Sequence, residues 1–316
     1  MIELSISRGA GSPVYRPVLL DGASWETELD GAPGRFTFRI LDDAALRIAE
    51  GDRVEITSTE RNIFQGNIFT RRRNHHGVVS VVAYDQTRYL KNKDTINRAG
   101  FTAATLLRKI ASDYGLKLGR VADTRIMLPF YVEDNKTLAD IMSNALKATE
   151  EAGGGQFALY DDFGALCLVP SSETRLALLL REDSAKEFMR NVSIDSDTYN
   201  QIKLICNTKD GQYVSTSSDG ASIERWGRLQ YLGRVSEDEN AQAKARSLLR
   251  LHNKERKSLS VSGIHGDAQA RAGCSLWVGK GLCGTARDAL CLIKTARHHW
   301  NGGRYSMDLE LEETGI

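Results

Sequence analysis

Residues 70–85, TRRRNHHGVVSVVAYD, place three arginines and two adjacent histidines ahead of a glycine and a run of small apolar residues. The segment could be a metal site, a phosphate or nucleic-acid grip, or the turn of a β-hairpin. A stretch more than two hundred residues downstream decides the reading. The first runs Ile68-Phe69-Thr70-Arg71-Arg72-Arg73, then His75-His76-Gly77, then Val79-Ser80-Val81-Val82. The second runs Ile293-Lys294-Thr295-Ala296-Arg297-His298-His299, then Gly302-Gly303, then Tyr305-Ser306-Met307-Asp308-Leu309. Each is an I-x-T strand, a basic stretch with a His pair, a glycine turn and a returning strand. Upstream, GDRVEI from Gly51 matches GCSLWV from Gly273 in type and distance. Two matching segments in one order point to a duplicated β domain.

Duplication turns the basic stretch into a hairpin. Neighbouring side chains on a strand point to opposite faces, which keeps His75 and His76 from chelating one ion, and no nearby Cys, Asp or Glu completes a plausible ligand set in either copy. The forks of Arg71, Arg72 and Arg73 suit phosphate and carboxylate alike, but a solvated or subunit-contacting strand face is the commoner use. The candidate interface residues are therefore Arg71, Arg72, Arg73, His75 and His76 in one hairpin and Arg297, His298 and His299 in the other. No catalytic, cofactor-binding or metal-ligating residue is assigned.

Other chemistry is sparse. The chain lacks a Walker motif, a G-x-G-x-x-G after a strand, G-x-S-x-G and H-E-x-x-H. The G-x-G in GAGSPVY has no following helix and reads as a turn. Acidic runs such as WETELD, VSEDEN and ELEE could hold a glycosidase pair, although such runs are usually solvated faces or helix starts. Trp25, Trp226, Trp277 and Trp300 are scattered, so no sugar-stacking row emerges.

The 316 residues suggest two or three domains. Lys+Arg 42 against Asp+Glu 41 gives net charge +1, which argues against a dedicated nucleic-acid binder. The opening segment MIELSISRGAGSPVY has no basic region followed by an apolar core, so no secretory signal is read there, and no window approaches a membrane span. Cys167, Cys206, Cys274, Cys283 and Cys291 are odd in number and include no C-x-x-C, which favours buried thiols in a reducing cytoplasm.

Along the chain, short alternating runs up to GVVSVVAYD predict antiparallel strands. FTAATLLRKIASDYGL then predicts a helix ending at Gly115, and NKTLADIMSNALKATEEAGGG a second one capped by Thr137 with Asp140 three residues on. QFALYDDFGALCLVP predicts a hairpin turning at Asp162-Phe163-Gly164. Strands return after about residue 191, among them ERWGRLQYLGRV, and one helix, ENAQAKARSLLRLHNKE, interrupts them. The layout is mainly β with an α+β insert: residues 1–95 and 191–316 as two antiparallel β-barrel or sandwich domains, flanking a small α+β domain at 96–190.

Within this layout VVAYDQTRYLKNKDT, followed by Phe101-Thr102-Ala103-Ala104, resembles the XkdQ/YqbQ family of phage baseplate-hub proteins. The resemblance continues through IASDYGLKLGRVADT, DNKTLADIMSNAL, ALYDDFGALCLV, SIDSDTYNQIKLI and HHWNGGRYSMDLELEE, and so covers nearly the whole chain. It implies a fold similar to the late-control-protein-D superfamily, in which two tail-tube-like β domains flank smaller ones. It also implies a structural, non-enzymatic role in the baseplate of a contractile tail or tail-like bacteriocin. Three copies would form a pseudo-hexameric ring, with the tail tube protein on one face, the central spike on the other, wedge proteins outside and the tape measure protein nearby. The competing expectations are a peptidoglycan hydrolase using the carboxylates of residues 96–190, or a cell-wall-binding module in the same segment that acts without chemistry.

Overall fold

The structure, a computed structural model, describes residues 2–9, 12–29, 32–43, 45–59, 61–208, 211–237 and 239–314. The turn read in GAGSPVY lies partly outside these residues, and Asp30 and Asp238, of the acidic runs WETELD and VSEDEN, lie outside them.

The first β half contains β1 (Ile2–Ser7), β2 (Val14–Tyr15), β3 (Leu19–Glu28), β4 (Arg35–Leu41), β5 (Arg53–Ser58), β6 (Asn62–Arg73) and β7 (Val78–Tyr84). Strict alternation aims Phe36, Phe38 and Ile40 of β4 inward, where they join Ile6, Trp25, Val54, Ile56, Ile68 and Val81 in one core. A middle unit follows: β8 (Lys93–Asn97), α1 (Ala103–Tyr114), β9 (Leu118–Val121), β10 (Val132–Thr137), α2 (Leu138–Glu151), β11 (Phe157–Asp161) and β12 (Leu166–Pro170). Both helices begin and end where the sequence signals. Thr102 and Thr137 accept bonds from the amides of Thr105 and Asp140, and Gly115 closes α1 at φ 64°. Their apolar faces meet over Leu106, Ile110, Ile141 and Met142.

The second β half is entered through β13 (Arg175–Leu180) and β14 (Glu187–Ser193). The chain then leaves it for a small unit with its own core of Ile202, Leu204, Val235, Ala245 and Leu248. That unit comprises β15 (Gln201–Thr208), β16 (Gly211–Ser218), α3 (Gly220–Trp226), β17 (Gln230–Val235) and α4 (Ala241–His252). Finally β18 (Arg256–His265), β19 (Ser275–Val278), α5 (Lys280–Cys283), β20 (Ala289–Asn301) and β21 (Arg304–Glu313) complete the half.

Three sequence expectations change here. A boundary at 190 cuts β14, which pairs with β18 rather than with the middle unit. The start of ERWGRLQYLGRV is helical, because Asp219 caps α3 by accepting from the Ser222 amide at 3.2 Å. The last third of the chain holds two units, since among the described residues β15 pairs only with β16 and β17.

The two β halves repeat one topology. Strands run β3-β4-β7-β6-β5-β1 in the first and β14-β18-β21-β20-β19-β13 in the second. Both meanders carry a register shift within the I-x-T motif, between Ile68 and Thr70 and between Ile293 and Thr295. Gly51 donates its amide to the Ile68 carbonyl at 2.8 Å from φ 87°, and Gly273 donates to Ile293 at 2.9 Å from φ 86°. These left-handed positions favour glycine, which explains why one opens each matching segment. One difference stands out: β1 lies antiparallel to β5, whereas β13 lies parallel to β19. The halves fuse into a single 13-stranded sheet because the C-terminal part of β20 pairs with β3. Among the described residues no helix is long and apolar enough to cross a membrane.

Candidate interaction surfaces

The β6–β7 turn is built by Asn74, whose Oδ1 accepts from the amides of His76 and Val78, each at 3.0 Å. His75 and His76 are therefore turn residues, and the strand-alternation argument for keeping them apart does not apply: their rings lie 3.7 Å apart, exposed. Among the described residues no group of three or more His, Cys, Asp or Glu side chains is placed to hold a metal ion, there or elsewhere. Arg71 is committed within the chain. Its Nε and Nη2 each reach the Glu50 carboxylate at 3.0 Å, holding that acid below its usual range, and its Nη1 bonds the Ile48 carbonyl. Arg73 pairs with Asp42 at 2.7 Å. Arg72, opposite Ser80, makes no ion pair among the described residues. With two of three guanidiniums engaged, the stretch is a poor phosphate grip.

The β20–β21 hairpin, turning at Gly302 and Gly303, behaves differently. His298 is fully buried. Its Nε2 donates to the Ala270 carbonyl at 2.7 Å and its Nδ1 accepts from the Tyr305 hydroxyl at 3.0 Å. Burial pushes its pKa down to about 4, so the ring is neutral near pH 7. Arg297 Nε meets Glu26 at 2.6 Å while its Nη1 meets Glu310 at 2.9 Å. Burial opposes ionisation of Glu26, but Arg297 and Arg35 outweigh it and hold the carboxyl low. His299 Nε2 lies 3.2 Å from Asp308, and Trp300 stacks on Tyr305 at 4.7 Å. Arg297 and His298, read from the sequence as interface residues, fasten the second β half to the first within one chain.

A junction that the sequence did not reveal sits where the three larger units meet, at the β11–β12 turn. From the first half, Gln86 Nε2 donates to the carbonyls of Lys117 at 3.0 Å and Gly164 at 3.4 Å, and its Oε1 accepts from the Lys117 amide at 2.6 Å. From the second half, Arg271 lies 3.7 Å from the Tyr160 ring centroid and 3.2 Å from Asp162. A Cβ on Gly273 would come within 2.6 Å of the Ala158 Cβ, so only glycine allows this approach. Two carboxyls face one another's charge here. Burial, then the proximity of Asp161, raises Asp85 well above the usual range, and burial raises Asp161. Each has a structural role. Asp85 caps residues 86–91 by accepting from Thr87, and Asp161 accepts from the Gly164 amide at 2.7 Å. Beside them opens a cleft of about 1490 Å³, lined from all four units by residues including Trp25, Lys147, His252 and Arg271.

Residues 23–312 match a family model described as YQBQ-like. The chain is 26% identical over 326 residues to the uncharacterized protein YqbQ of Bacillus subtilis (strain 168), with 99% of this chain and 97% of that one covered. It is also 26% identical over 278 residues to the phage-like element PBSX protein XkdQ of the same organism, covering 86% and 84%. The crystal structure of the 43 kDa tail protein of prophage MuSo2 from Shewanella oneidensis superposes with a TM-score of 0.68 at 15% identity, over 98% of each chain. That likeness is one of fold.

Proposed function

The chain belongs to the YQBQ-like family, and from that membership we propose that it is the baseplate hub of a contractile phage tail or tail-like particle. A structural role in a phage tail is the part with direct support: one relative is named as a protein of a phage-like element, and the fold is that of a prophage tail protein. One observation carries the finer reading. Two β halves of one topology lie side by side in a continuous sheet that ends in open strands. Three such chains present six halves, so a trimeric ring would match a six-fold tail tube on one face and a three-fold spike on the other. Wedge proteins would dock outside and the tape measure protein would reach the centre. The work is assembly and symmetry conversion, carried by strand edges, with no catalytic step and no cofactor.

A hydrolase reading has a single observation in its favour, the raised pKa values of Asp85 and Asp161 beside a cleft. Their capping and turn bonds explain both positions without chemistry. To test the proposal, the purified chain is mixed with the tail tube and spike proteins of its own particle and imaged in projection. Pseudo-six-fold rings capping the tube support it. Absence of any complex together with clearing of a peptidoglycan zymogram would replace it with the hydrolase.

A further inference from the structure

The joint inside the chain supplies a template for one between chains. Within each β half, hydrogen-bonded partners form a ladder that starts at the I-x-T motif. In the first it runs Ile68, Ala83, Phe36, Trp25. In the second it runs Ile293, Leu311, Leu259, Arg190. By this correspondence β14 is the counterpart of β3, and Arg190 stands where Trp25 stands. Strand β3 is covered, because β20 pairs along it from Thr295 opposite Glu28 to Trp300 opposite Ala23. Among the described residues strand β14 has no such neighbour: it ends the sheet, paired only with β18.

The counterpart of the C-terminal part of β20 is equally free. β5 pairs with β6 only as far as Asn67, and the bond from Gly51 ends at Ile68. From Phe69 to Arg73 no strand among the described residues pairs with that edge. So one chain exposes both members of a joint that it also makes internally.

Exposure of the matching side chains points the same way. Ala23 and Trp25, on the inward face of β3, are 1% and 5% exposed. Their counterparts on β14 include Phe188, which is 50% exposed, and the same face continues to Val192 at 48%. In the internal joint the loop between β18 and β19 lies over that face, with the Ala272 amide donating to Thr27 Oγ1 at 2.9 Å and the Ala270 carbonyl accepting from His298. The loop between β4 and β5 holds the corresponding place in the first half, tied to β6 through Arg71 and Ile48. A neighbouring copy would bring this loop over Phe188 and Val192. An open strand edge with apolar side chains, left on a protein that must not aggregate, calls for a specific partner strand.

We infer that β14 of one copy adds antiparallel to the free edge of β6 in the next, repeating between chains the β3–β20 joint found within each. This deepens the ring reading above and rests on it. Transferring the internal register places Thr70 opposite Ser193, Arg71 opposite Val192, Arg72 opposite Asn191 and Arg73 opposite Arg190. The last pair sets two guanidiniums where the internal joint has the Trp25–His298 stack. Asp42, already bonded to Arg73 at 2.7 Å, supplies counter-charge, while Arg190 is anchored by the Cys283 carbonyl at 2.9 Å. The joint is head-to-tail, because the surfaces that meet are different, and it therefore propagates around a closed ring. It also gives the hairpin of Arg71, Arg72, Arg73, His75 and His76 a neighbour, beside Met189 and Phe188.

Disulfide trapping on the full-length chain tests the register. Arg72→Cys with Asn191→Cys is oxidised with diamide in the presence of the tail tube protein. Glu26→Cys with Arg297→Cys, cross-strand partners in the internal joint, reports that the chain is folded and that this geometry closes a bond. Arg71→Cys with Asn191→Cys, slipped by one residue onto opposite faces, is the negative control. The native cysteines are buried and do not compete. The expected result is a covalent ladder that stops at three chains for the first pair only, with single-cysteine variants silent. Rings of the right mass in which the slipped pair, or neither pair, crosslinks would overturn this joint and leave the ring standing. A chain that stays single in every mixture would overturn both.

Discussion

Trp25 and His298 are cross-strand partners on β3 and β20, and their rings stack with centroids 4.8 Å apart at an interplanar angle of 22°. This contact joins residues from the two β halves and makes them one sheet. It is specified beyond packing, since both imidazole nitrogens are bonded and only one tautomer satisfies them. Removing the large ring leaves a cavity at the joint. Trp25→Ala should lower stability by about 3–5 kcal/mol in chemical denaturation. The double substitution His75→Ala with His76→Ala, in an exposed turn, should stay within about 0.5 kcal/mol. Equal effects would mean that the joint carries no special weight.

The same contrast shows how far the sequence could be read. The two His pairs are near twins in one dimension, and the repeat they mark is real in topology down to the shifted I-x-T rungs. Local signals also held: Thr137 caps its helix, Gly115 ends one, and Phe163 and Gly164 turn a hairpin at φ 49° and 82°. The I-x-T rungs put His298 in register with Arg73 rather than with His75, and what sets His298 apart is its partner strand, 273 positions away in sequence at Trp25. Pairing at that distance leaves no periodic trace. Arg271 on Tyr160 was hidden for the same reason, and the unit from β15 to α4 was missed because its strands alternate like those of the sheet around it.

Acid should weaken the joint. The folded state holds the His298 pKa near 4, below its ordinary value, so it binds fewer protons than the unfolded chain between the two. Stability from this group is present above about pH 6.5 and falls as pH drops toward 4, by up to about 1.4 kcal/mol per pH unit. Melting curves across that range should show the loss, and His298→Gln should flatten it. An unchanged acid limb in the variant would remove His298 from the explanation.

The Asp85 and Asp161 junction has the opposite sign. Both carboxyls are raised in the folded state, so their stabilising contribution is complete below the ordinary carboxylate range and is lost as pH rises through neutrality. Asp85→Asn keeps an N-cap acceptor while removing the charge. It should stabilise the chain by about 1–3 kcal/mol at about pH 8 and do little at about pH 4. Destabilisation at the higher pH would show that the ionised form is the one the fold wants.

Arg271 should act as a clamp between units. Arg271→Lys retains charge but not the planar stack on Tyr160, and Arg271→Ala removes both. Amide exchange in β11 and β12 should quicken in the order wild type, lysine, alanine, with a stability loss of about 1–2 kcal/mol for alanine. Uniform exchange in all three proteins would place the coupling elsewhere, at Gln86 or at the Gly273 contact.

The most direct measurement is the mass of the particle the chain forms, alone and mixed with its own tail tube and spike proteins. One chain weighs 35.0 kDa. A complex containing three copies, whether formed alone or only on mixing, is the expected result. A single chain that ignores both partners at every concentration would contradict the hub.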